Sequence, residues 1–351
     1  MNSKSLSVVS REKIVLLDGA MGTMIQRHTL AEKDFRGNRF ANHTSPLQGN
    51  NDLLCLTRPD IIRQIHDEYL EAGADIIETN TFNAQRISLA DYAMEELAYE
   101  INFEAARIAR EAVNDFQREQ PDLPRFVAGA LGPTNKTASM SPKVSDPAFR
   151  AITYKDLVEA YREQVNGLLD GGADILMVET IFDTLNAKAA LFAIMEIFEE
   201  RNLEFLLPND LSEYSKKKIP LMVSGTITDA SGRTLSGQTA EAFIISMSHA
   251  PLFSIGFNCA LGATQLVQYV EVLSDNVNCA VSVYPNAGLP NEMGHYDQSP
   301  EQMGKLMKEY CDRGIVNIVG GCCGTTPEHI RSISTAVREY SPRKIAADLV
   351  V

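Results

Sequence analysis

The sequence predicts an α/β protein folded as a single (β/α)8 barrel, the TIM-barrel fold. Short apolar runs rich in Val, Ile and Leu alternate with longer segments of helical period, which is typical of buried parallel strands joined by helices. One βα unit also recurs, because Gly73-Ala74-Asp75-Ile76 and Gly172-Ala173-Asp174-Ile175 each lead into a run that ends in Glu-Thr. No linker rich in Pro or Gly divides the 351 residues, so we expect the units to close into one ring.

About eight runs are predicted to be strands, since each is short, apolar and without polar alternation. In chain order they cover residues 14–18, 75–80, 126–132, 174–180, 221–226, 253–259, 279–286 and 315–321. An open, doubly wound sheet is the alternative arrangement. It would need a glycine fingerprint after the first strand, and Asp18-Gly19-Ala20-Met21-Gly22-Thr23 resembles G-x-G-x-x-G only loosely, so the closed barrel is favoured.

Three of the intervening helices have start signals that can be named. Thr57, Ser299 and Thr326 each stand one or two residues ahead of a proline, so we expect them to be N-caps with the proline in the first helical turn.

Composition limits the classes of partner. Lys and Arg number 32 against 46 Asp and Glu, which gives a formal net charge of -14. An acidic surface repels nucleic-acid phosphates and anionic lipid, so we expect neither nucleic acid nor membrane as a partner. The first residues lack the apolar core of a secretory signal, and no run reaches the roughly 18 apolar residues of a membrane span. We expect a cytoplasmic protein.

Catalytic residues of such barrels lie where the strands end at the C-terminal face. Long loops after the first, third and fifth predicted strands, residues 24–51, 133–153 and 226–238, would surround that face. The polar and small residues at the predicted strand ends are Asp18, Gly19, Thr79, Asn80, Gly132, Glu179, Thr180, Ser224, Asn258, Cys259, Asn286, Cys322 and Cys323.

Three of the six cysteines fall at these strand ends. Cys259 closes the sixth strand, and Cys322 and Cys323 follow the eighth between glycines that permit the backbone to leave extended geometry. Three thiolates with a fourth position open form a catalytic zinc arrangement, suited to holding a substrate thiol deprotonated. A buried pair or a vicinal disulfide of Cys322 and Cys323 remains an alternative. The other cysteines, Cys55, Cys279 and Cys311, are expected to lie in the core.

The remaining strand-end residues suit an amino acid substrate. Asp18 and Glu179 could receive an ammonium group, and the backbone N–H groups around Gly19 and Ala20 could receive a carboxylate. Helix capping or a structural ion pair is the alternative for each carboxylate. None of the six histidines shows metal-ligand spacing, so none is assigned a catalytic role.

Four motifs at four strand ends, residues 18–23, Glu179-Thr180, Asn258-Cys259 and residues 320–324, resemble the homocysteine-binding barrel of zinc-dependent homocysteine S-methyltransferases. The chain resembles the N-terminal module of cobalamin-dependent methionine synthase more closely still. Three further segments carry that likeness, namely Gly132-Pro133-Thr134-Asn135, Asp146-Pro147-Ala148-Phe149-Arg150 and residues 224–237. Residues 203–218 are less familiar and are predicted to be a peripheral insertion before the fifth strand.

The resemblance implies a zinc ion held by Cys259, Cys322 and Cys323, with the thiolate of L-homocysteine as fourth ligand. It also implies a methyl transfer from methylcobalamin that yields methionine and cob(I)alamin. The residues expected to contact homocysteine are Asp18, Gly19, Ala20, Glu179, Thr180 and Asn258.

The resemblance covers residues 1–340 as the barrel and leaves 341–351 as an exit segment or a linker to further modules. No Asp-x-His-x-x-Gly motif, which ligates cobalamin in that family, occurs in this chain. Cobalamin-binding and folate-binding modules would therefore act in cis or in trans. Two alternatives remain open: a freestanding methyltransferase that uses a small onium donor such as betaine or S-methylmethionine, and a zinc-storage or redox-sensing barrel without a substrate.

Overall fold

Eight parallel strands form the wall of a barrel in the computed structural model, which describes residues 4–210, 217–228 and 231–345. The described residues form nine strands, of which all but β5 belong to this wall: β1 (Val15–Leu16), β2 (Ile76–Glu78), β3 (Phe126–Leu131), β4 (Ile175–Ile181), β5 (Glu204–Leu206), β6 (Lys218–Gly225), β7 (Ser254–Gly262), β8 (Ala280–Asn286) and β9 (Ile318–Val319). Their order is β1-β9-β8-β7-β6-β4-β3-β2, and a parallel bridge between Leu17 and Ile76 joins β1 to β2. The predicted closed (β/α)8 barrel is confirmed.

Helices surround the barrel and connect successive strands. They are α1 (Leu6–Glu12), α2 (Met21–Gln26), α3 (Glu32–Arg36), α4 (Leu54–Thr57), α5 (Pro59–Ala72), α6 (Arg86–Leu89), α7 (Ala98–Glu119), α8 (Tyr154–Gly171), α9 (Thr184–Glu200), α10 (Ala240–Met247), α11 (Ala263–Asn276), α12 (Pro300–Asp312) and α13 (Pro327–Val337). In the part of the chain that is described, none of the helices combines the length and the apolar character needed to cross a bilayer.

The core has two layers because successive strand residues point to opposite faces. Val15 and Met177 belong to the cluster that fills the barrel, whereas their neighbours Leu16 and Leu176 pack outward in the helix-facing cluster. The N-terminal helix α1 contributes Leu6 to the inner cluster and so closes one end of the barrel. The long loops lie at the opposite end of the barrel, where the strands finish.

The repeated Gly-Ala-Asp-Ile motif has a structural explanation. Gly73 and Gly172 end helices α5 and α8 in the left-handed conformation. The aspartate two residues later then accepts a hydrogen bond from a backbone N–H of the neighbouring strand. Asp75 accepts from Leu16 N at 3.0 Å, and Asp174 accepts from Val127 N at 2.9 Å. The repeat therefore sets the register between adjacent strands.

Two of the three predicted helix starts are confirmed and one is wrong. Ser299 caps α12 and accepts from the N–H of Gln302, and Thr326 is the N-cap of α13. Thr57 instead ends α4, where its hydroxyl donates to Leu53 O, and Arg58 occupies the N-cap position of α5. Arg58 stands between Thr57 and Pro59, so it separates the end of α4 from the start of α5 and takes the N-cap position itself.

The less familiar segment 203–218 contains the extra strand β5, which pairs in parallel with the start of β6 outside the barrel wall. Residues 211–216 of this segment lie outside the described residues.

At the other end of the chain, Arg343 donates to the backbone carbonyls of Ser274, Val277 and Cys279. Residues 341–345 therefore pack on the barrel. The division at residue 340 stays a prediction, and residues 346–351 are outside the described part.

Candidate active site

A cavity of about 610 Å³ opens at the C-terminal ends of the strands. Its walls come from the ends of β1, β2, β4, β7 and β8 and from the turn after β9. The residues that line it include Asp18, Gly19, Ala20, Glu78, Glu179, Thr180, Cys259, Tyr284, Tyr296, Cys322 and Cys323.

The three predicted cysteines meet in this cavity. The Sγ atoms of Cys259 and Cys323 are 3.6 Å apart, and all three sulfurs lie within 4.8 Å of one another. Among the described residues, this is the one group of His, Cys, Asp or Glu side chains that could hold a metal ion. Sulfur ligands at about 2.3 Å from a tetrahedral zinc are about 3.8 Å apart, so the donor set fits zinc.

Backbone irregularities bring the sulfurs together. Cys259 has a φ of +60° and Ala260 a φ of +51°, within a break in register between β7 and β8. After β9 the chain leaves extended geometry, and a turn from Cys322 to Thr325 is closed by Thr325 N donating to Cys322 O at 3.0 Å. Gly324 has a φ of +79° in this turn, and a Cβ there would lie 2.3 Å from Tyr296 Cβ. Only glycine fits this position without rearrangement.

The thiols of the cluster have pKa values shifted in opposite directions. Interactions with the thiols of Cys259 and Cys322 lower the pKa of Cys323 to about 3. Interactions with the thiols of Cys259 and Cys323 raise the pKa of Cys322 well above its usual value, and burial adds to that rise. One sulfur of the cluster is therefore a thiolate at neutral pH, stabilised by its protonated neighbours. A cation entering the cluster would take over that stabilising role.

Asn258 organises the floor of the site rather than facing it. Its side chain is fully buried and accepts from Thr180 N at 3.1 Å and from Ser224 Oγ at 2.7 Å. Its amide nitrogen donates to Thr180 Oγ1 at 2.8 Å and lies 3.9 Å from Cys322 Sγ. Thr180 is held at a φ of +53° by these contacts. Asn258 thus connects the end of β4 to the cysteine turn.

Three carboxyl groups line the cavity: the predicted Asp18 and Glu179, and Glu78 at the end of β2. Asp18 Oδ2 accepts from Glu78 N at 2.9 Å, whereas the buried Oδ1 has no hydrogen-bond partner in the structure. None of the ion pairs found among the described residues involves any of the three. Buried carboxylates without a cation are unfavourable, so the cluster calls for a positively charged ligand.

Burial changes the titration of all three groups. It raises the pKa of Asp18 well above its usual value, and the nearby Glu179 adds to this rise. Glu78 is raised in the same way, by burial first and then by the charges of Glu179 and Asp18. Burial also raises the pKa of Glu179 to about 7, with a smaller contribution from Cys323. An ammonium group entering the cluster would return these groups to the ionised form.

The segment after β1 lies beside the cysteine turn. Ala20 N donates to Thr325 Oγ1 at 3.1 Å, and that hydroxyl donates in turn to Cys322 O at 2.6 Å. Gly19 packs against Tyr69 and Thr325 with no room for a side chain. The N–H of Ala20, one of the predicted carboxylate donors, is thus already engaged within the protein.

Other strand-end residues serve the architecture. Thr79 Oγ1 accepts from Ala130 N, and Asn80 Nδ2 donates to Asn51 O. His329 accepts from Thr326 N and caps α13, and no histidine belongs to the metal-binding group in the described residues. The prediction that Cys55, Cys279 and Cys311 lie in the core is confirmed.

Sequence reasoning missed two residues of the site. Glu78 could have been found from the repeat, since Glu78-Thr79 and Glu179-Thr180 occupy the same place in two copies of one unit. Tyr296 comes from the loop between β8 and α12, and it lines the cavity beside Cys323. Nothing in the local sequence places that loop over the cysteines.

The comparisons with known proteins agree with this geometry. The family model described as homocysteine S-methyltransferase matches residues 15–337. The metallated form of the homocysteine methyltransferase MmuM from Escherichia coli superposes with a TM-score of 0.70 at 21% identity. Its oxidized form gives 0.68 at 20%, and each comparison covers 94% of this chain and 98% of that one. At such identities the structures show a shared fold, and the family match carries the assignment. The chain belongs to the homocysteine S-methyltransferase family and is a methyltransferase.

Proposed function

We propose that this chain binds L-homocysteine and zinc together and presents the homocysteine sulfur to methylcobalamin, so that methionine is formed. The observation that carries the proposal is the position of three convergent thiols and three carboxyls without a cation on the walls of one cavity. The cysteine cluster with its metal would bind a thiol and the carboxyl groups would bind an ammonium group, and homocysteine has both groups.

Cys259, Cys322 and Cys323 would hold the zinc ion. Zinc bound by three thiolates leaves one coordination position for a substrate thiol and keeps that thiol deprotonated at neutral pH. The charge of the three ligands disfavours hydrolytic chemistry and suits transfer of an alkyl group to sulfur.

The protein itself would fix the amino acid end of the substrate. Asp18, Glu78 and Glu179 receive the ammonium group, and the unpartnered Oδ1 of Asp18 supplies one acceptor. The backbone at Gly19 and Ala20 is our proposed contact for the carboxylate, with the Ala20 N–H exchanging its bond to Thr325 for one to the substrate.

Thr180 and Asn258 complete the proposed substrate contacts. Their mutual hydrogen bonds hold the end of β4 against the cysteine turn. The fixed end of β4 then sets the distance between the bound amino group and the sulfur.

The proposed reaction is a displacement at carbon. The homocysteine sulfur forms a bond to the methyl carbon while the bond from methyl to donor breaks, and the bonding electrons leave with the donor. The thiol proton is released to solvent when the substrate binds. We propose that a cobalamin-binding module presents the methyl group at the open mouth, and that a folate-binding module recharges it.

A small onium donor is the second candidate. The cavity of about 610 Å³ is larger than homocysteine alone needs, and the amide side chains of Gln26, Asn51 and Asn83 also line it. A betaine or S-methylmethionine molecule would fit there. Turnover with such a donor in the absence of any corrinoid would distinguish this enzyme from the module of a cobalamin-dependent one.

The metal site can be tested by zinc content after purification under reducing conditions. We expect about one zinc per chain in the parent protein, and loss of it in Cys259→Ala and Cys323→Ala. Cys311→Ala, which removes a buried cysteine from α12, is the matched control and keeps its zinc. A parent chain without zinc, or a variant of the cluster that retains it fully, would contradict the proposal.

A further inference from the structure

Asp52 is a buried carboxylate on the cavity wall that the proposed methyl transfer does not use. It lies in the 3-10 turn Asn51–Leu53 ahead of α4, and only 4% of the residue is exposed. Its Oδ1 accepts a hydrogen bond from Asn83 N at a long 3.4 Å. No ion pair in the described part of the chain includes Asp52. A buried carboxylate without a cation is unfavourable, so its position on a cavity wall indicates a cationic ligand.

The turn that carries Asp52 is held in place by its own contacts. Asn80 Nδ2 donates to Asn51 O at 2.8 Å, and Leu53 N donates to Asn50 Oδ1 at 3.3 Å. The carboxylate is therefore fixed before any ligand binds. Burial raises the pKa of Asp52 to about 7, and a cation bound beside it would restore the ionised form.

Asp52 lies farther from the end of β2 than the carboxyl cluster does. Asp18 Oδ2 bonds to Glu78 N in the last residue of β2, whereas Asp52 bonds to Asn83 N in the loop that follows. Asn83 is exposed, so this wall faces the mouth of the cavity. The cavity thus has two acidic positions, an inner one at the carboxyl cluster and an outer one at Asp52.

Side-chain amides lie beside the outer position. Asn51 directly precedes Asp52, and a Cβ at Gly22 would lie 4.0 Å from Asn51 Nδ2, so the Asn51 amide faces α2. Gln26 follows Gly22 by one turn on the same side of that helix and also lines the cavity. Asn51 and Asn83 make their hydrogen bonds through backbone atoms, and none of those formed by the described residues uses the Gln26 amide. These amide N–H groups are available to an anionic group next to the cation.

We propose that the outer part of the cavity is a subsite for a second α-amino acid, whose ammonium group binds Asp52 and whose carboxylate binds the side-chain amides of Asn51 and Gln26. An α-amino acid carries both groups on one carbon, which matches a carboxylate and an amide on adjacent residues of one turn. Homocysteine fills the inner part, and that placement rests on the proposed function. The inference deepens the second candidate, because S-methylmethionine as donor would be a second amino acid in the same cavity.

Other cations suit this wall less well. Asp52 belongs to no group of side chains in the described residues that could hold a metal ion. A quaternary ammonium such as betaine has no N–H to donate and is commonly recognised by aromatic faces. A primary ammonium can donate to the Asp52 carboxylate, and a charge-assisted hydrogen bond of this kind favours the amino acid.

Calorimetric titration of the zinc-loaded protein with L-methionine tests the subsite, since L-methionine is an amino acid that cannot react. The titration is run at two saturating concentrations of L-homocysteine that differ about tenfold, so that the inner part stays filled. We expect the Kd for L-methionine to be the same at both concentrations. We also expect betaine to bind at least about tenfold more weakly than L-methionine.

Variants assign the binding to the outer position. Asp52→Asn keeps the shape of the side chain and is expected to weaken L-methionine at least about tenfold, with homocysteine affinity within about twofold of the parent. Gln26→Ala changes an exposed residue and should weaken L-methionine about fivefold without affecting the fold. Asp122→Asn, at an exposed position between α7 and β3, is the matched control and should bind both ligands as the parent does.

Several results would overturn the inference. One is a Kd for L-methionine that rises about tenfold with the homocysteine concentration, because the two ligands would then compete for one site. Others are parental L-methionine affinity in Asp52→Asn or in Gln26→Ala, and equal binding of betaine. Loss of homocysteine as well in Asp52→Asn would also overturn it, because the side chain would then support the cavity as a whole.

Failure of the proposed function gives a different pattern. A parent protein that binds neither zinc nor homocysteine would overturn that function. L-methionine titrated into the same protein would still report on the outer subsite, and binding that depends on Asp52 would support it.

Discussion

Replacing Glu179 by glutamine is expected to stabilise the metal-free protein above pH 7 and to leave its stability at pH 4.5 almost unchanged. Burial raises the pKa of Glu179 from an ordinary value of 4.5 to about 7. Between these values the unfolded chain gives up its proton while the folded chain keeps it. The unfolded state then binds fewer protons, so the free energy of unfolding falls as pH rises from 4.5 to 7.

The size of the effect follows from the two pKa values. At about 1.4 kcal/mol per pH unit, the ionised Glu179 costs the folded protein about 3 kcal/mol above pH 7. Glutamine has nearly the same shape as the protonated glutamic acid and carries no charge at any pH. It also removes the charge that raises the pKa of Glu78 and of Asp18, so their ionisation becomes less costly.

Urea unfolding of the metal-free parent and variant at pH 4.5 and pH 8, without homocysteine, provides the measurement. Glu199→Gln, a change at an exposed position of α9, controls for the substitution itself. We expect Glu179→Gln to gain about 3 kcal/mol more at pH 8 than at pH 4.5. A gain that differs by less than about 1 kcal/mol between the two pH values would refute the reasoning about the carboxyl cluster.

Three other substitutions test separate parts of the site. Asp18→Asn removes a charged partner of the substrate ammonium group, so we expect KM for homocysteine to rise about tenfold or more while the zinc content stays unchanged. An unchanged KM in steady-state assays would count against this contact. Asn258→Ala deletes a fully buried amide that bonds to Thr180 and Ser224, so we expect the free energy of unfolding to fall by about 3 kcal/mol. A loss below about 1 kcal/mol in urea unfolding would show that the amide is dispensable. Gly324→Ala places a Cβ against Tyr296 at a positive φ, so zinc should be lost although all three cysteines remain; a full complement of zinc by elemental analysis would contradict this.

The fold was predictable because each strand is buried on both faces and is therefore a continuous apolar run. Strands β1 and β9 have only two residues each, yet their runs in the sequence are as apolar as the longer strands. Strand β5 was not predicted, since Glu204–Leu206 is short, lies outside the wall and pairs with one neighbour only. Thr57 was misassigned because a hydroxyl ahead of a proline can end one helix as well as begin the next.

The site was predictable where a residue lies in the last part of a strand or shortly after it, as Asp18, Glu179, Cys259 and the Cys322-Cys323 pair do. Parallel strands deliver such residues to one face whatever the intervening helices are. Tyr296 was not predictable, because a loop of more than ten residues can place its side chains anywhere above the mouth. For Asn258 the sequence leaves two roles open, because a strand-end amide can face the ligand or the neighbouring strand; in the structure its side chain bonds to Thr180 and Ser224.

X-ray absorption at the zinc edge, recorded before and after addition of L-homocysteine, shows whether the zinc ion receives the substrate thiol. We expect three sulfur ligands at about 2.3 Å in the substrate-free protein and four when homocysteine is present. L-homoserine, which carries a hydroxyl in place of the thiol, should leave the count at three. A sulfur count that does not change with homocysteine, in a protein that contains its zinc, would show that the metal does not receive the substrate thiol and would contradict the proposed function.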